Sequence, residues 1–201
     1  MKISLNGVCL RMKLWLDNGK IPGTVLNKSE KGNLTGLAFL DNIYYVSSGV
    51  MLTQIRDISG IDGSTLQNWV KRGWVSNTVN KKYSKDQLAR ILIINMLRSC
   101  MLLERVDILL HYINGNIDDV RDDIIPESRL YDYICTIYDR YIEDECECEA
   151  QLDEIIAETT AEYDEPVAGA HKRLNSALKI IIIAYLASIA GSKANELFLE
   201  L

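Results

Sequence analysis

The chain has 201 residues, of which 48% are hydrophobic and 25% are charged, with 12 Gly, 3 Pro and a formal net charge of −6. These proportions are near the average for soluble globular proteins, so they exclude a collagen-like, low-complexity or wholly disordered chain. A chain of this length buries about 70% of the surface that its unfolded form exposes, so we expect one or two packed domains that need no metal or disulfide for their core.

Charge is distributed unevenly between the two halves. Residues 1–105 contain 15 Lys and Arg against 7 Asp and Glu, a balance of +8, whereas residues 106–201 contain 7 against 21, a balance of −14. The first half can therefore attract phosphate and the second half would repel it. Charge alone is equally compatible with a solvated surface that binds nothing.

The five cysteines are an odd number with irregular spacing, and the N-terminus has no pattern of a signal peptide. Both features predict reduced thiols and a cytoplasmic protein. The most apolar stretch, residues 177–190, is about 14 residues long and contains Lys179, so it is shorter than the roughly 20 residues of a membrane span and predicts a buried helix.

In chain order, the first 49 residues carry no recognisable chemistry and are predicted to form an N-terminal cap region. An apolar stretch from Val8 to Leu16 and a second from Leu34 to Val46 are separated by Gly, Pro and polar residues typical of a loop.

From Val50 onward, the pattern predicts two short helices joined by a glycine-containing turn. Leu52, Ile55 and Ile58 mark one helical face, which ends at Gly60. Either Asp62 or Ser64 can cap the second helix, and Gly73 ends it. Two helices in this arrangement form a helix-turn-helix unit.

In residues 74–83, Val75, Val79 and Tyr83 are separated by small polar residues, a composition that favours a small hairpin, or wing. Ser84 and Gln87 have capping-box spacing and begin a strongly amphipathic third helix, and residues 102–113 form a fourth. The remaining sequence predicts acidic helices and a final, very apolar helix over roughly residues 170–190.

The polar residues of the second helix are predicted to face outward, because its apolar stripe consists of Leu66, Trp69 and Val70. Gln and Asn can read adenine in the major groove, and Lys and Arg can hold backbone phosphates. The two tryptophans, Trp69 and Trp74, are predicted to pack in the core rather than stack on bases. The candidate DNA-binding residues are Ser64, Thr65, Gln67, Asn68, Lys71, Arg72, Lys81, Lys82 and Tyr83.

Residues 51–110 resemble the DNA-binding domain of MerR-type transcriptional regulators in the order and spacing of several short motifs. These are the helix-turn-helix turn at residues 58–61, the start of the recognition helix at 64–66, its glycine exit at 71–75, the wing end at 81–84 and the third helix at 87–88. The resemblance implies a winged helix-turn-helix that binds duplex DNA. The chain has Gln67 and Asn68 where that family typically has Arg and Tyr, and Lys81 where it has Arg, so an operator sequence cannot be transferred.

A wider similarity links the chain to an uncharacterised bacterial family, domain of unknown function 1836, which implies a regulator without a known ligand. It rests on residues 66–74, 82–84, 89–91, 112–115 and 122–128.

The sequence gives little support for an enzyme or a metal protein. It has no phosphate-binding Gly-rich loop, zinc-ligand spacing or nucleophile elbow, and His111 and His171 have no partner pattern. Cys146 and Cys148 would point about 200° apart on a helix and could not close on one ion. We therefore predict no catalytic residue, no metal site and no cofactor.

The expected fold is mainly α-helical: a cap region over residues 1–49, a MerR-like winged helix-turn-helix over 50–114, and an acidic helical region over 115–201. The expected function is sequence-specific DNA binding in transcriptional control, as a homodimer matched to DNA palindromes and possessing no membrane segment. The candidate dimer interface lies on the final helix, at Leu174, Leu178, Ile181, Ile182, Tyr185 and Ile189. The alternative is a protein-interaction module that keeps the scaffold without touching DNA, and an effector-binding role for the C-terminal helices stays open.

Overall fold

A computed structural model of the chain describes residues 16–117, 119, 121–144 and 148–201. The fold is mainly helical, as the composition predicts. The described residues form eight α-helices and two short strands, which in chain order are α1 Gly36–Tyr44, β1 Val50–Met51, α2 Leu52–Ser59, α3 Gly63–Lys71, β2 Lys82–Tyr83, α4 Lys85–Leu97, α5 Leu103–Asn114, α6 Glu127–Glu143, α7 Glu149–Thr159 and α8 Ala170–Leu199. Residues 8–15 of the first predicted apolar stretch lie outside the described part.

Helix α4 lies at the centre of the molecule and packs against α6 and α8. Its start is fixed by the predicted capping box, in which Ser84 Oγ accepts from Gln87 N and Gln87 Oε1 accepts from Ser84 N. Nearly every residue from Leu88 to Leu97 is buried, so α4 is buried on all sides rather than amphipathic. A helix in this position connects the basic half of the chain to the acidic half through one shared core.

The loop before α1 is held against α4 and α6 by polar contacts. Asn95 donates hydrogen bonds to the carbonyls of Gly23 and Ser59, and Tyr131 donates to the carbonyl of Pro22. Gly23 has a φ of 74°, and a Cβ added there would lie 2.4 Å from the carbonyl oxygen of Leu92. Only glycine therefore allows the loop to approach α4 this closely.

The cap region, the helix-turn-helix segment and the acidic helices contribute to a single hydrophobic core. Helix α1, from the first segment, packs along α6, from the last. The core is therefore continuous across the predicted boundaries at residues 49/50 and 114/115. Whether the three segments are separate domains stays a prediction.

Helix α8 corrects two predictions. It continues nine residues past the predicted end at residue 190. The six residues assigned to a dimer interface, Leu174, Leu178, Ile181, Ile182, Tyr185 and Ile189, are instead buried in the core of their own chain. Their apolar character is satisfied by α4, α5, α6 and α7, which leaves these side chains no surface for a partner.

By length and composition alone, α8 could also cross a membrane, since its most apolar 18-residue window has a mean hydropathy of 1.7. Core helices of soluble proteins pass the same test, and the buried face of α8 contacts four neighbouring helices.

Candidate nucleic-acid interface

Helices α2 and α3 are joined by a three-residue turn, Gly60 to Asp62, whose geometry is fixed by glycine and by a buried side chain. Gly60 has a φ of 71° and its N–H donates to the carbonyl of Arg56, which ends α2. Ile61 is buried, so the turn is anchored in the core. The predicted pair of short helices is therefore present.

Asp62, rather than Ser64, caps α3. Its carboxylate accepts from the backbone N–H groups of Ser64 and Thr65 at 3.0 and 2.9 Å, and from both of their hydroxyls. These hydrogen bonds, led by that from the Ser64 side chain, hold the pKa of Asp62 well below its usual range. The N-terminus of α3 therefore carries a fixed negative charge, and the hydroxyls of Ser64 and Thr65 are engaged in the cap.

Helix α3 is divided into a buried and an exposed face, as predicted. Leu66 and Trp69 lie in the core, and Gln67, Asn68 and Lys71 are exposed. Trp74 is also buried, which confirms the core role predicted for both tryptophans.

The Lys and Arg side chains of this region differ in whether they have an ion-pair partner. Arg72 lies 3.5 Å from a carboxylate oxygen of Glu104, and its guanidinium stacks 5.0 Å from the ring centroid of Trp74. Lys71, Lys81 and Lys82 are exposed and form no ion pair with any residue that the structure describes. Among the residues with described positions, the positive charge of this region that has no ion-pair partner thus lies at the end of α3 and on the segment before α4.

That segment closes a hairpin. The N–H of Lys82 donates to the carbonyl of Val79, and the two residues between them, Asn80 and Lys81, have φ values of 54° and 59°. Positive φ at both central residues is the geometry of a type I′ turn, which suits the twist of a two-residue hairpin. The hairpin tip exposes Val79 and both lysines.

The base of the hairpin is attached to the rest of the fold on both sides. Strand β2 pairs antiparallel with β1, in the register Val50 to Tyr83 and Met51 to Lys82. Gln87 Nε2 donates to the carbonyls of Ser76 and Asn77. The same side chain therefore caps α4 and holds the loop that leads into the hairpin.

Tyr83 corrects another prediction, because its ring is buried against the core and is not available to DNA. Its carbonyl accepts a hydrogen bond from the hydroxyl of Tyr44 in α1. The pattern Lys-Lys-Tyr-Ser predicted an exposed wing end, whereas the alternation of β2 places Lys82 outward and Tyr83 inward.

Arg90 was not among the predicted site residues, yet it connects the hairpin to α6. Its Nε donates to the carbonyl of Trp74 at 2.7 Å, and its guanidinium forms a buried ion pair with Glu127, the first residue of α6. Asp107 of α5 lies 3.8 Å away. The signal in the sequence was a single charge in an otherwise apolar helical run, since a buried cation requires a buried partner.

A cleft of about 590 Å³ lies beside this ion pair, between the hairpin segment and residues 123–127. Burial, followed by the charges of Glu127 and Asp122, raises the pKa of Asp123 to about 6. Burial also raises the pKa of Glu127, against the opposing effect of Arg90. The raised pKa values mean that the carboxyl groups of Asp123 and Glu127 favour their neutral forms more than ordinary surface acids do.

Among the described residues, no cluster of His, Cys, Asp and Glu has the geometry to hold a metal ion. Cys146 lies outside the described residues. His171 contacts the buried hydroxyl of Thr160 at 2.9 Å, which gives this histidine a structural contact.

Residues 37–134 match the model of a family described as Domain of unknown function (DUF1836). The match supports a domain of that uncharacterised family, and it extends from α1 to the middle of α6. It therefore includes α3, the hairpin and both partners of the Arg90–Glu127 ion pair. No curated protein and no solved structure matches the chain.

Proposed function

We propose that residues 50–114 form a MerR-like winged helix-turn-helix, and that the protein is a transcriptional regulator that binds duplex DNA. The observation that carries this proposal is the exposed face of α3, where Gln67, Asn68 and Lys71 point to solvent from a helix whose opposite face is fixed in the core. An α-helix with its side chains is about 10–12 Å across, which fits a major groove about 12 Å wide, and the nine residues of α3 give it a length of roughly 13 Å.

The side chains divide naturally into two roles. Gln67 and Asn68 have the paired donor and acceptor that read the major-groove edge of adenine. Lys71, Lys81 and Lys82, which form no ion pair within the described part of the chain, supply positive charge for backbone phosphates, which positions the helix without specifying sequence. Arg72 contributes less free charge because Glu104 is its neighbour.

Asp62 sets the orientation of α3 on DNA. Many phosphate sites use the N-terminus of a helix, but the ionised carboxylate of Asp62 occupies that end and would repel a phosphate. The proposed contact therefore uses the middle and C-terminal part of α3, with the hairpin lysines on the neighbouring phosphates.

In this proposal the working form is a homodimer, since two-fold protein symmetry matches palindromic sites. The acidic second half of the chain, with its balance of −14, would be repelled by DNA and is assigned to association and regulation.

The test is fluorescence anisotropy of labelled genomic duplexes titrated with the purified chain. We expect binding that weakens with salt and that is lost selectively, for preferred sequences, in the variant Gln67→Ala/Asn68→Ala. The control variant Asn195→Ala changes an exposed amide on α8, far from α3 in sequence. Equal binding of every duplex by the wild type and the α3 variant would contradict base readout by these residues.

A protein-interaction role is the second candidate. It is favoured by a groove of about 330 Å³ beside α3, lined by Trp74, Met101 and Leu103, with the Arg72–Glu104 pair at its rim. This arrangement resembles the apolar centre and polar rim of a protein interface. It would gain support if the titration showed no DNA binding even at low salt.

A further inference from the structure

The cleft between the hairpin segment and the start of α6 is large enough to hold a small molecule. Its volume of about 590 Å³ lies within the range of roughly 300–1,000 Å³ that is typical of ligand pockets. Its wall combines segments that are distant in sequence, namely residues 76–79, the start of α4 and residues 123–127. The exposed face of α3 does not contribute to it, so the cleft is separate from the proposed DNA contact.

One buried carboxylate oxygen in the wall of this cleft has no hydrogen-bond partner. Glu127 is 9% exposed, and its Oε1 accepts from the guanidinium of Arg90. Its Oε2 is also buried but accepts no hydrogen bond from a residue that the structure describes. Arg90 directs its Nε to the carbonyl of Trp74, and the nearby amide of Asn114 donates to the carbonyl of Ile125. Because a buried oxygen without a donor is costly, this position calls for a donor from outside the chain.

The charge of the cleft favours a cation as that donor. Four carboxylates line it, from Asp86, Asp123, Glu127 and Asp164, and Arg90 is the one Lys or Arg among its described lining residues. The formal charge of the lining is therefore −3, which repels an anionic ligand. Burial and then the charge of Glu127 raise the pKa of Asp123, so a cation between these two carboxylates would relieve their repulsion.

The arrangement of the carboxylates suits an organic cation rather than a metal ion. Within the described residues, no group of His, Cys, Asp and Glu is arranged to hold a metal ion. An ammonium or amidinium group carries several N–H donors that can reach acceptors at separate points. The remaining wall can cover an apolar body, since it includes Val79, Ile117, Ile124, Pro126 and Pro166.

We propose that this cleft binds an organic ammonium or amidinium ion that carries an apolar group. The cationic group donates to Glu127 Oε2 and to the carboxylate of Asp123, and the apolar group lies against the aliphatic and proline side chains of the wall. This inference goes beyond the proposed function and does not depend on DNA binding.

The first test is isothermal titration calorimetry of the full chain at about pH 7.5, where Asp123 is mainly ionised. The probe is 2-phenylethylammonium, with neutral 2-phenylethanol and the small cation methylammonium as its two controls. We expect the probe to bind with a Kd of about 1 mM or lower, and at least about 10-fold more tightly than either control. Equal binding of the alcohol would show that the carboxylates play no part and would overturn the proposal.

A variant of Asp123 tests the charge of the site. Asp123→Asn keeps the size of the side chain and should weaken binding of the probe by about 10-fold, because a charge-assisted hydrogen bond is lost. Asp57→Asn removes the same charge from an exposed position of α2 that does not line the cleft, and it should leave binding unchanged. Equal weakening in the two variants would mean that the probe responds only to net charge, which would contradict the site.

A second variant tests Glu127 without changing the net charge of the protein. Arg90→Met/Glu127→Leu removes the ion pair together with the unpartnered oxygen, and it should also weaken binding of the probe by about 10-fold. The melting temperature and circular dichroism of each variant show whether it keeps its fold. Unchanged binding in this variant, or a wild-type chain that binds no probe at about 10 mM, would overturn the proposal.

Discussion

Removing two free lysines, one on α3 and one on the hairpin, should change how DNA binding depends on salt. Lys71 and Lys82 are exposed and unpaired among the described residues, so each can replace one condensed counterion on the phosphate backbone. The slope of log K against log salt should fall in magnitude by about 0.9 for each lost contact, or about 1.8 for Lys71→Ala/Lys82→Ala. Over a fourfold increase in salt, the wild type should therefore lose about 12-fold more affinity than the variant.

The assay is anisotropy of one duplex at several salt concentrations, with the melting temperature of each protein measured in parallel. Lys20→Ala/Lys31→Ala removes the same charge from exposed positions before α1 and is the matched control. Identical slopes for the wild type and the Lys71/Lys82 variant would refute the assignment of these side chains to phosphate. A reduced slope in the control variant would also refute the assignment, because it would show that the slope depends on the net charge of the protein and not on these two side chains.

Three further predictions concern the stability of the fold around the hairpin and the neighbouring cleft. Gln87→Ala should destabilise the fold by about 1–2 kcal/mol in urea denaturation, because it removes both a cap and the anchors of the hairpin loop; a change confined to DNA affinity would contradict this role. Arg90→Ala should lower the free energy of unfolding by about 3–5 kcal/mol, because it leaves Glu127 buried without its partner. Arg90→Met/Glu127→Leu should lower it much less, because neither charge is then left buried. Equal losses of stability in the two variants would mean that the pair is not buried as described. For Asp123 the folded pKa of about 6 lies above the ordinary value of 3.8, so its contribution to stability is present at low pH and is lost as the pH rises through 6. Denaturation from pH 4 to 7 should therefore show a decline that is smaller in Asp123→Asn, and parallel curves would exclude the raised pKa.

Local signals predicted most of the helical architecture. Ser84 and Gln87 marked the start of α4 through a capping box that the structure contains, and Gly60 marked the end of α2. Periodic apolar residues placed Leu66 and Trp69 inward and their polar neighbours outward. These features depend on contacts between residues within one helical turn. Their spacing along the sequence is therefore enough to predict them.

Long-range packing decided the features that the sequence analysis missed. The apolar stripe from Leu174 to Ile189 is equally suited to a subunit interface and to a core, and only the position of α4 and α6 selects the core. Arg90 pairs with Glu127 across 37 residues, a contact that no local spacing indicates.

The central claim is that the exposed face of α3 reads duplex DNA, and selection from a pool of genomic fragments tests it most directly. The wild-type chain should enrich a limited set of fragments with an inverted repeat, and Gln67→Ala/Asn68→Ala should fail to enrich that set while retaining its fold. Recovery of the same fragments by both proteins, or no enrichment by the wild type at low salt, would contradict the claim.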